Sequence, residues 1–319
     1  MRAAIIGLGV IGKVHYDVLK NIGEDIVAIC DIDFEKLGEY EGVKKYVDYR
    51  VMIESEKIDV VHVCTPHYLH AEMVIYALEK GINILCEKPL AISLEQIDAI
   101  LEAESKSSAT LGVCFQNRYN NSSVFAKKYL EDKDVEYAFG SVRWHRDKAY
   151  YESAEWRGKW ATEGGGVLIN QAIHTLDLLQ WILGEPKKAV GGVFNRALKD
   201  VIEVEDTACA DFLGEHNFTL FATTSYPKDM PIELRFLTKN EKIVVTPDYV
   251  EINGKRVDLA SENKWYGKLA YGCGHEKLIR DFYASVASGE KFWIDGKEGA
   301  NAVREVLSVY RSDGKVVEI

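Results

Sequence analysis

Three groups of residues in this chain have the types and spacing to do chemistry. The first is Gly7-Leu8-Gly9-Val10-Ile11-Gly12, a G-x-G-x-x-G placed between an apolar run and a helical stretch. Gly7 permits a tight turn, Gly9 lets backbone approach a pyrophosphate, and Gly12 lets helix and strand pack closely. Val10 and Ile11 open the helix, whose unsatisfied N–H groups and partial positive charge suit phosphate. Asp31 closes the next apolar run, at about the 20-residue spacing expected of the acid that accepts hydrogen bonds from the adenosine ribose. An aspartate there repels a 2′-phosphate, and Ile32, Asp33 and Phe34 supply no arginine to bind one. The pattern therefore predicts NAD(H) in preference to NADP(H).

The second group sits where two further apolar runs end. Thr65-Pro66-His67-Tyr68-Leu69-His70 follows DVVHVC, and Glu87-Lys88-Pro89 follows INILC. Open parallel sheets bind ligands beyond the carboxyl ends of their strands. Thr65, Pro66, His67, His70, Glu87 and Lys88 are accordingly expected to line the cofactor. A lone lysine is ordinarily a solvated charge, but Pro89 restrains the backbone before it and fixes where Lys88 points. Beside a nicotinamide such a lysine becomes a catalytic candidate.

The third group follows Glu163-Gly164-Gly165-Gly166, a run that predicts a flexible or closely approached loop at a helix start. On that helix Asn170 and His174 stand at i and i+4, on one face, with Asp177 a turn further on. Aromatic and basic residues flank the group: Trp156-Arg157-Gly158-Lys159-Trp160 before it, and Trp265, Tyr266 and Tyr271 later in the chain. Rings stack on the apolar faces of sugars while amides and cations read hydroxyls or a carboxylate. Gln116, Arg118, Trp156, Arg157, Asn170 and Tyr271 are the expected substrate contacts. Arg118, Arg157 and Lys159 together would suit an anionic sugar, such as a uronate or sugar nucleotide.

The elements that must position these groups are legible as two patterns. Up to about Cys114 the chain alternates short apolar runs (AAIIG, DIVAIC, KKYV, DVVHVC, INILC, ATLGVC) with helical stretches such as Leu69–Lys80 and Leu94–Ser105. That alternation predicts an α/β N-terminal Rossmann domain with a doubly wound parallel sheet. From Phe139 onward come longer strand candidates joined by turns, with helices near Asn170–Trp181, His275–Ser288 and Lys297–Tyr310. These predict a C-terminal α+β domain with a large, mostly antiparallel sheet. The expected boundaries are 1–118 for the dinucleotide-binding domain and 119–319 for substrate binding and oligomerisation.

Bulk properties narrow the function classes. With 39 Lys and Arg against 50 Asp and Glu, the net charge of −11 argues against a nucleic-acid or anionic-membrane surface. No apolar run approaches the roughly 18 residues of a spanning helix. The six cysteines form no C-x-x-C pair, so neither a metal site nor a disulfide framework is expected. Met1 to Gly7 reads directly as a buried strand and not as a cleaved leader. A reduced, cytoplasmic protein is predicted.

Taken together, the GxGxxG strand, the Glu-Lys-Pro lysine and the Gly-Gly-Gly…His-x-x-Asp helix resemble the Gfo/Idh/MocA family (glucose–fructose oxidoreductase, inositol dehydrogenase and relatives). The likeness runs over the whole chain, Gly274-His275-Glu276 included. It implies that Lys88 and His174 are the catalytic pair flanking a nicotinamide. It also implies that the open face of the second sheet mediates homodimers or homotetramers, and that Val204-Glu205-Asp206-Thr207 is sheet scaffolding. Inositol dehydrogenase-like members carry aspartate four residues before the histidine, where this chain has Asn170; an amide orients an imidazole without stabilising its cation.

The function expected is hydride transfer between NAD(H) and a secondary hydroxyl or ketone of a sugar, sugar derivative or cyclic polyol. His174, ordinarily near pKa 6.5, would take the hydroxyl proton and cationic Lys88 would stabilise the alkoxide, with the roles exchangeable if Lys88 is desolvated. Two rivals share the scaffold: transient NAD oxidation and re-reduction that drives glycoside cleavage or epimerisation, and a non-catalytic NAD-linked regulator, which would need neither Lys88 nor His174. The Y-x-x-x-K matches at Tyr40…Lys44 and Tyr129…Lys133 are set aside, because the glycine pattern is not that of a short-chain dehydrogenase.

Overall fold

The structure, a computed structural model, describes residues 1–260, 266 and 273–319. Each apolar run of the N-terminal half forms a strand: β1 (Arg2–Ile6), β2 (Asp25–Cys30), β3 (Lys44–Tyr46), β4 (Val60–Val63), β5 (Asn83–Glu87) and β6 (Leu111–Cys114). They build one six-stranded sheet in the order β3-β2-β1-β4-β5-β6, every pair parallel. The order reverses beside β1, the switch point at which such sheets bind ligands. Ala3, Ala4, Ile5, Val60, Val61, Val63, Ile84 and Leu85 are fully buried, as strands covered on both faces require. Helix Val10–Ile22 packs against helix Gly274–Ser288, and helix His70–Glu79 against Leu94–Lys106.

The second sheet has nine strands. β7 (Val135–Arg143), β8 (Lys188–Phe194), β9 (Thr207–Leu213), β10 (Phe218–Thr223), β11 (Glu233–Thr238) and β12 (Lys242–Val245) fall on the runs that predict them. β13 (Tyr249–Ile252), β14 (Lys255–Asp258) and β15 (Val317–Glu318) complete the order β14-β13-β12-β11-β7-β10-β9-β8-β15. Only β7 and β10 pair in parallel among the described residues. The β13–β14 hairpin turns on Asn253-Gly254, both at positive φ, the pair that a two-residue hairpin loop favours. Helix Ile173–Leu183 covers one face. A Cβ on Gly140 of β7 would come within 2.8 Å of Leu179 and Thr175 on that helix. Burial alternates along β9 and β11, leaving the other face exposed, Leu237 included.

The chain separates into two compact units, Met1–Gln116 with Lys264–Ala300, and Asn117–Asn263 with Asn301–Ile319. The late helix Gly274–Ser288 belongs with the parallel sheet, where Phe282 and the nearby Phe292 fill the space that Gly112 of β6 leaves. No helix among the described residues is long and apolar enough to cross a membrane.

Candidate active site

In the first unit the Gly7–Gly12 turn joins β1 to helix Val10–Ile22. Gly7 adopts φ +90°, and a Cβ there would lie 2.7 Å from the Cys64 carbonyl oxygen; one on Gly12 would lie 1.9 Å from the Gly7 oxygen. These two glycines are required by the protein's own packing. Gly9 is different: a Cβ there would meet no protein atom within 4 Å. It caps a helix whose first turn has no side-chain cap and no acidic residue, so the N–H groups and the helix dipole face an open approach. Asp31 is largely buried beyond β2. Its Oδ2 accepts from the Leu8 N–H at 2.7 Å and its Oδ1 from the Asp33 N–H at 2.9 Å, which fixes the carboxylate beside the glycine turn. A cation that the sequence reading passed over stands next to it: Lys36 Nζ lies 3.6 Å from Asp31 Oδ1. The turn, the free helix start and the anchored acid fit a dinucleotide.

β4 and β5 run parallel to β1, so Thr65-Pro66-His67 and Glu87-Lys88 emerge on the same edge of the sheet as the glycine turn. Thr65 and Pro66 are half-buried and His67 is buried at the start of a short 3₁₀ turn. Lys88 is half-buried, and its backbone N–H donates to Glu87 Oε2 at 3.2 Å. Two expected cofactor residues turn inward instead. His70 is fully buried, with Nδ1 2.7 Å from the Pro89 oxygen and Nε2 2.8 Å from the Thr65 oxygen. The ring thus lies between the two strand-end loops, and burial pushes its pKa down against the opposing pull of the two carbonyls. Glu87 is also buried, with Oε1 2.9 Å from His15 Nε2. Burial alone would raise its carboxyl, but the His15 hydrogen bond and the charges of His15, His275 and Lys88 outweigh it and hold Glu87 well below the usual carboxylate range. Neither side chain presents a surface to a ligand.

In the second unit the glycine run is closely approached and not open. A Cβ on Gly165, at φ +146°, would lie 2.0 Å from the Tyr310 hydroxyl, and one on Gly166 would lie 1.9 Å from the Glu205 carbonyl oxygen. The run leads into a π-helical turn, Leu168–Ala172, before the α-helix Ile173–Leu183 begins. Asn170 therefore lies in a wider turn than the i, i+4 reading assumes, a device often found at functional sites. Buried Glu205 organises this start. Its Oε2 accepts from the Gly166 N–H at 2.8 Å, and its Oε1 accepts from the Leu168 N–H at 3.0 Å and from the Tyr310 hydroxyl at 2.9 Å. Burial raises its carboxyl to about 7 against the opposing pull of those donors.

Asn170 is backed by a carboxylate: its Nδ2 donates to Oε1 of Glu163, which is fully buried. Tyr150, also absent from the sequence reading, lies 3.4 Å from Asn170 Nδ2 and from Gln171 Nε2. Arg157 stacks on the rings of Tyr150 at 4.4 Å and Trp156 at 4.7 Å and donates to the Tyr150 hydroxyl. Trp156, Arg157 and Asn170 are therefore gathered around Tyr150, and His174 is 7% exposed on the same helical segment. Arg118 is not among them. Its Nε and Nη2 donate to Asp177 at 3.0 and 2.6 Å in an ion pair 1% and 0% exposed, which makes both residues interior structure. Lys159 is exposed and Gln116 is buried at the end of the first unit's chain. Tyr271 lies outside the described residues, as do Trp265, Gly267 and Lys268. The basic cluster expected for an anionic sugar is thus reduced to Arg157.

Residues 1–115 match the family described as "Oxidoreductase family, NAD-binding Rossmann fold", and residues 134–237 match the GFO/IDH/MocA C-terminal domain. The chain belongs to the GFO/IDH/MocA oxidoreductases. The family resemblance and the fold read from the sequence are both borne out, and the first unit is an NAD-binding Rossmann domain. Myo-inositol 2-dehydrogenase of Thermotoga maritima is 30% identical over 195 residues, 60% of this chain and 57% of that protein. The match thus spans little more than half of that relative. Levoglucosan dehydrogenase of Pseudarthrobacter phenanthrenivorans is 34% identical over 43% of this chain and 36% of its own. Among solved structures, myo-inositol 2-dehydrogenase of Lactobacillus plantarum superposes with a TM-score of 0.84 at 26% identity, covering 100% of this chain and 99% of that one. The WlbA dehydrogenase of Chromobacterium violaceum, in complex with NADH and UDP-GlcNAcA, gives 0.88 at 26%, covering 100% and 96%.

Proposed function

We propose that this protein is an NAD(H)-dependent oxidoreductase acting on a secondary hydroxyl or ketone of a sugar, sugar derivative or cyclic polyol. The observation that carries this reading is Lys88, held at the end of β5 on the sheet edge that bears the open Gly9 turn and anchored Asp31. Gly9 and the first turn of helix Val10–Ile22 would hold the pyrophosphate, and Asp31 the adenosine ribose. When bound, the nicotinamide supplies the acceptor for a hydride from the carbinol carbon. The chain's own groups handle the proton. His174 takes it from the substrate hydroxyl, Asn170, held by Glu163, precedes that histidine by four residues on the same segment, and Lys88 as a cation stabilises the oxyanion. Tyr150, Trp156 and Arg157 supply ring faces and a guanidinium suited to sugar hydroxyls.

The substrate class follows from what the relatives are named for: inositol, levoglucosan and, in one structure, UDP-GlcNAcA. A screen of NAD(H) against inositols, anhydrosugars, free sugars, uronates and sugar nucleotides, read at the nicotinamide absorbance, tests it. Turnover with at least one polyol or sugar is expected; NAD that binds while no member of the panel is oxidised or reduced would overturn the assignment. Assembly as a homodimer or homotetramer through the exposed face of the second sheet is part of the same proposal, and a monomer by sedimentation at micromolar concentration would contradict it. A cytoplasmic location suits six cysteines that form no disulfide among the described residues, five of them buried. Recovery in a secreted fraction would contradict that.

A further inference from the structure

The first unit contains a file of buried titratable groups that the proposed mechanism does not use. His15 on helix Val10–Ile22 and His62 on β4 are both 0% exposed, and their Nδ1 atoms lie 2.7 Å apart. His15 Nε2 reaches Glu87 Oε1 at 2.9 Å, and His62 Nε2 reaches the Tyr283 hydroxyl at 3.0 Å. Tyr283, on helix Gly274–Ser288, lines an open cleft of about 310 Å³ together with Met1, Ile22, Glu24 and Arg280. The file thus begins at a surface cleft and ends at the carboxylate whose neighbour is Lys88.

Apolar side chains would fill this interior at lower cost, because each buried imidazole must find a partner for both nitrogens. Here every link is within hydrogen-bond distance. Glu87 is held ionised, so it only accepts, and His15 Nε2–H donates to it. Burial keeps His62 neutral, with one N–H. Two proton patterns fit these distances: with one N–H on each imidazole, His62 Nδ1–H donates to His15 Nδ1 and the Tyr283 hydroxyl donates to His62 Nε2, whereas with two on His15 its Nδ1–H donates to His62 Nδ1 and His62 Nε2–H donates to the Tyr283 oxygen.

We infer that Tyr283, His62, His15 and Glu87 form a proton conduit between the surface cleft and the strand end that carries Lys88. In one passage a hydronium ion in the cleft gives a proton to the Tyr283 oxygen, leaving water, as the tyrosine's own proton moves to His62 Nε2. The His62 Nδ1 proton then moves to His15 Nδ1. One proton has entered, the tyrosine is again neutral, His62 has exchanged tautomers, and His15 has become an imidazolium paired with the Glu87 carboxylate. The return passage restores the starting state. The loaded pair neutralises the negative charge beside Lys88, so the conduit sets the electrostatic setting of that ammonium without touching substrate. His15, His62 and Tyr283 are positioning residues on this account. The groups facing the file from the elements around it are His275 and Cys114 at His15, Cys64, Cys86, His275 and Lys88 at Glu87, and Glu24 and Asp59 at Tyr283.

The role of Lys88 rests on the proposed redox function, whereas the conduit itself is tested without substrate. In the full-length protein labelled with ¹⁵N-histidine, the imidazole protons of His15 and His62 should exchange with solvent within seconds. Urea below the unfolding transition should not change that rate. Tyr283→Phe should slow exchange tenfold or more. A merely structural network exchanges by opening of the fold; urea would then accelerate exchange, and Tyr283→Phe would leave it unchanged or faster. Either result overturns the conduit, and the urea series decides it even if Tyr283→Phe does not fold. With a substrate from the screen, Tyr283→Phe should also displace the pH profile of kcat while leaving KM within a few-fold. Fast, urea-independent exchange in a protein that turns over no polyol would leave the conduit standing and remove the redox reading.

Discussion

The two glycine-rich turns of this protein look alike in sequence and do opposite things. At Gly9 the missing Cβ leaves space that no protein atom fills, beside a helix start without a cap. At Gly165 and Gly166 the missing Cβ atoms are replaced by the chain itself, by the Tyr310 hydroxyl and the Glu205 backbone. The first turn keeps room for a ligand. The second uses close approach to bring a buried carboxylate onto the start of the segment that carries Asn170 and His174. A glycine run therefore signals proximity, and what comes near must be read from the neighbours.

The comparison can be broken most forcefully at Gly166. Gly166→Ala sets a methyl 1.9 Å from the Glu205 carbonyl oxygen, backbone that cannot swing aside. It should prevent folding or lower Tm by about 10 °C, the scale of several kcal/mol in a chain of this size. Calorimetry showing wild-type stability would mean that the approach is looser than the structure has it. Gly9→Ala should do the reverse, holding Tm within about 2 °C while weakening NAD binding tenfold or more, because the intruding methyl meets only ligand. Titration giving unchanged NAD affinity would remove Gly9 from the phosphate site.

A smaller effect separates the two regions by pH. The Glu205 carboxyl is raised to about 7 from an ordinary value near 4.5, chiefly by burial. Between those values the folded chain binds more protons than the unfolded one, so this group's contribution to stability falls as pH rises from about 5 to about 7. Glu205→Gln should flatten that part of the Tm–pH curve, at the cost of one backbone hydrogen bond. An unchanged slope in the variant would assign it elsewhere.

Much of the fold was legible because its signals are local. The six N-terminal strands are apolar runs, the dinucleotide turn is a spaced motif, and β7 to β12 alternate or run apolar for four residues or more. β13 and β14 were missed although Asn253-Gly254 marks their turn, since the strands are short and the exposed residues of β14 show no alternation. The site was legible only in part. Lys88, Asn170 and His174 sit in motifs. Glu163, Glu205 and Tyr150 matter through partners that tertiary packing chooses, and Arg118 and His70 are withdrawn from the surface by Asp177 and by two carbonyls. Sequence spacing carries no record of such pairings.

The central claim is that Lys88 and His174 perform the proton and charge chemistry of a hydride transfer. Its most direct test is turnover of NAD⁺ by Lys88→Ala and His174→Ala on whichever polyol or sugar the wild-type protein oxidises, with NAD affinity measured alongside. Each variant should lose a hundredfold or more in kcat, the scale of acid–base residues, while NAD binding stays within a few-fold. Near-normal turnover in both would contradict it.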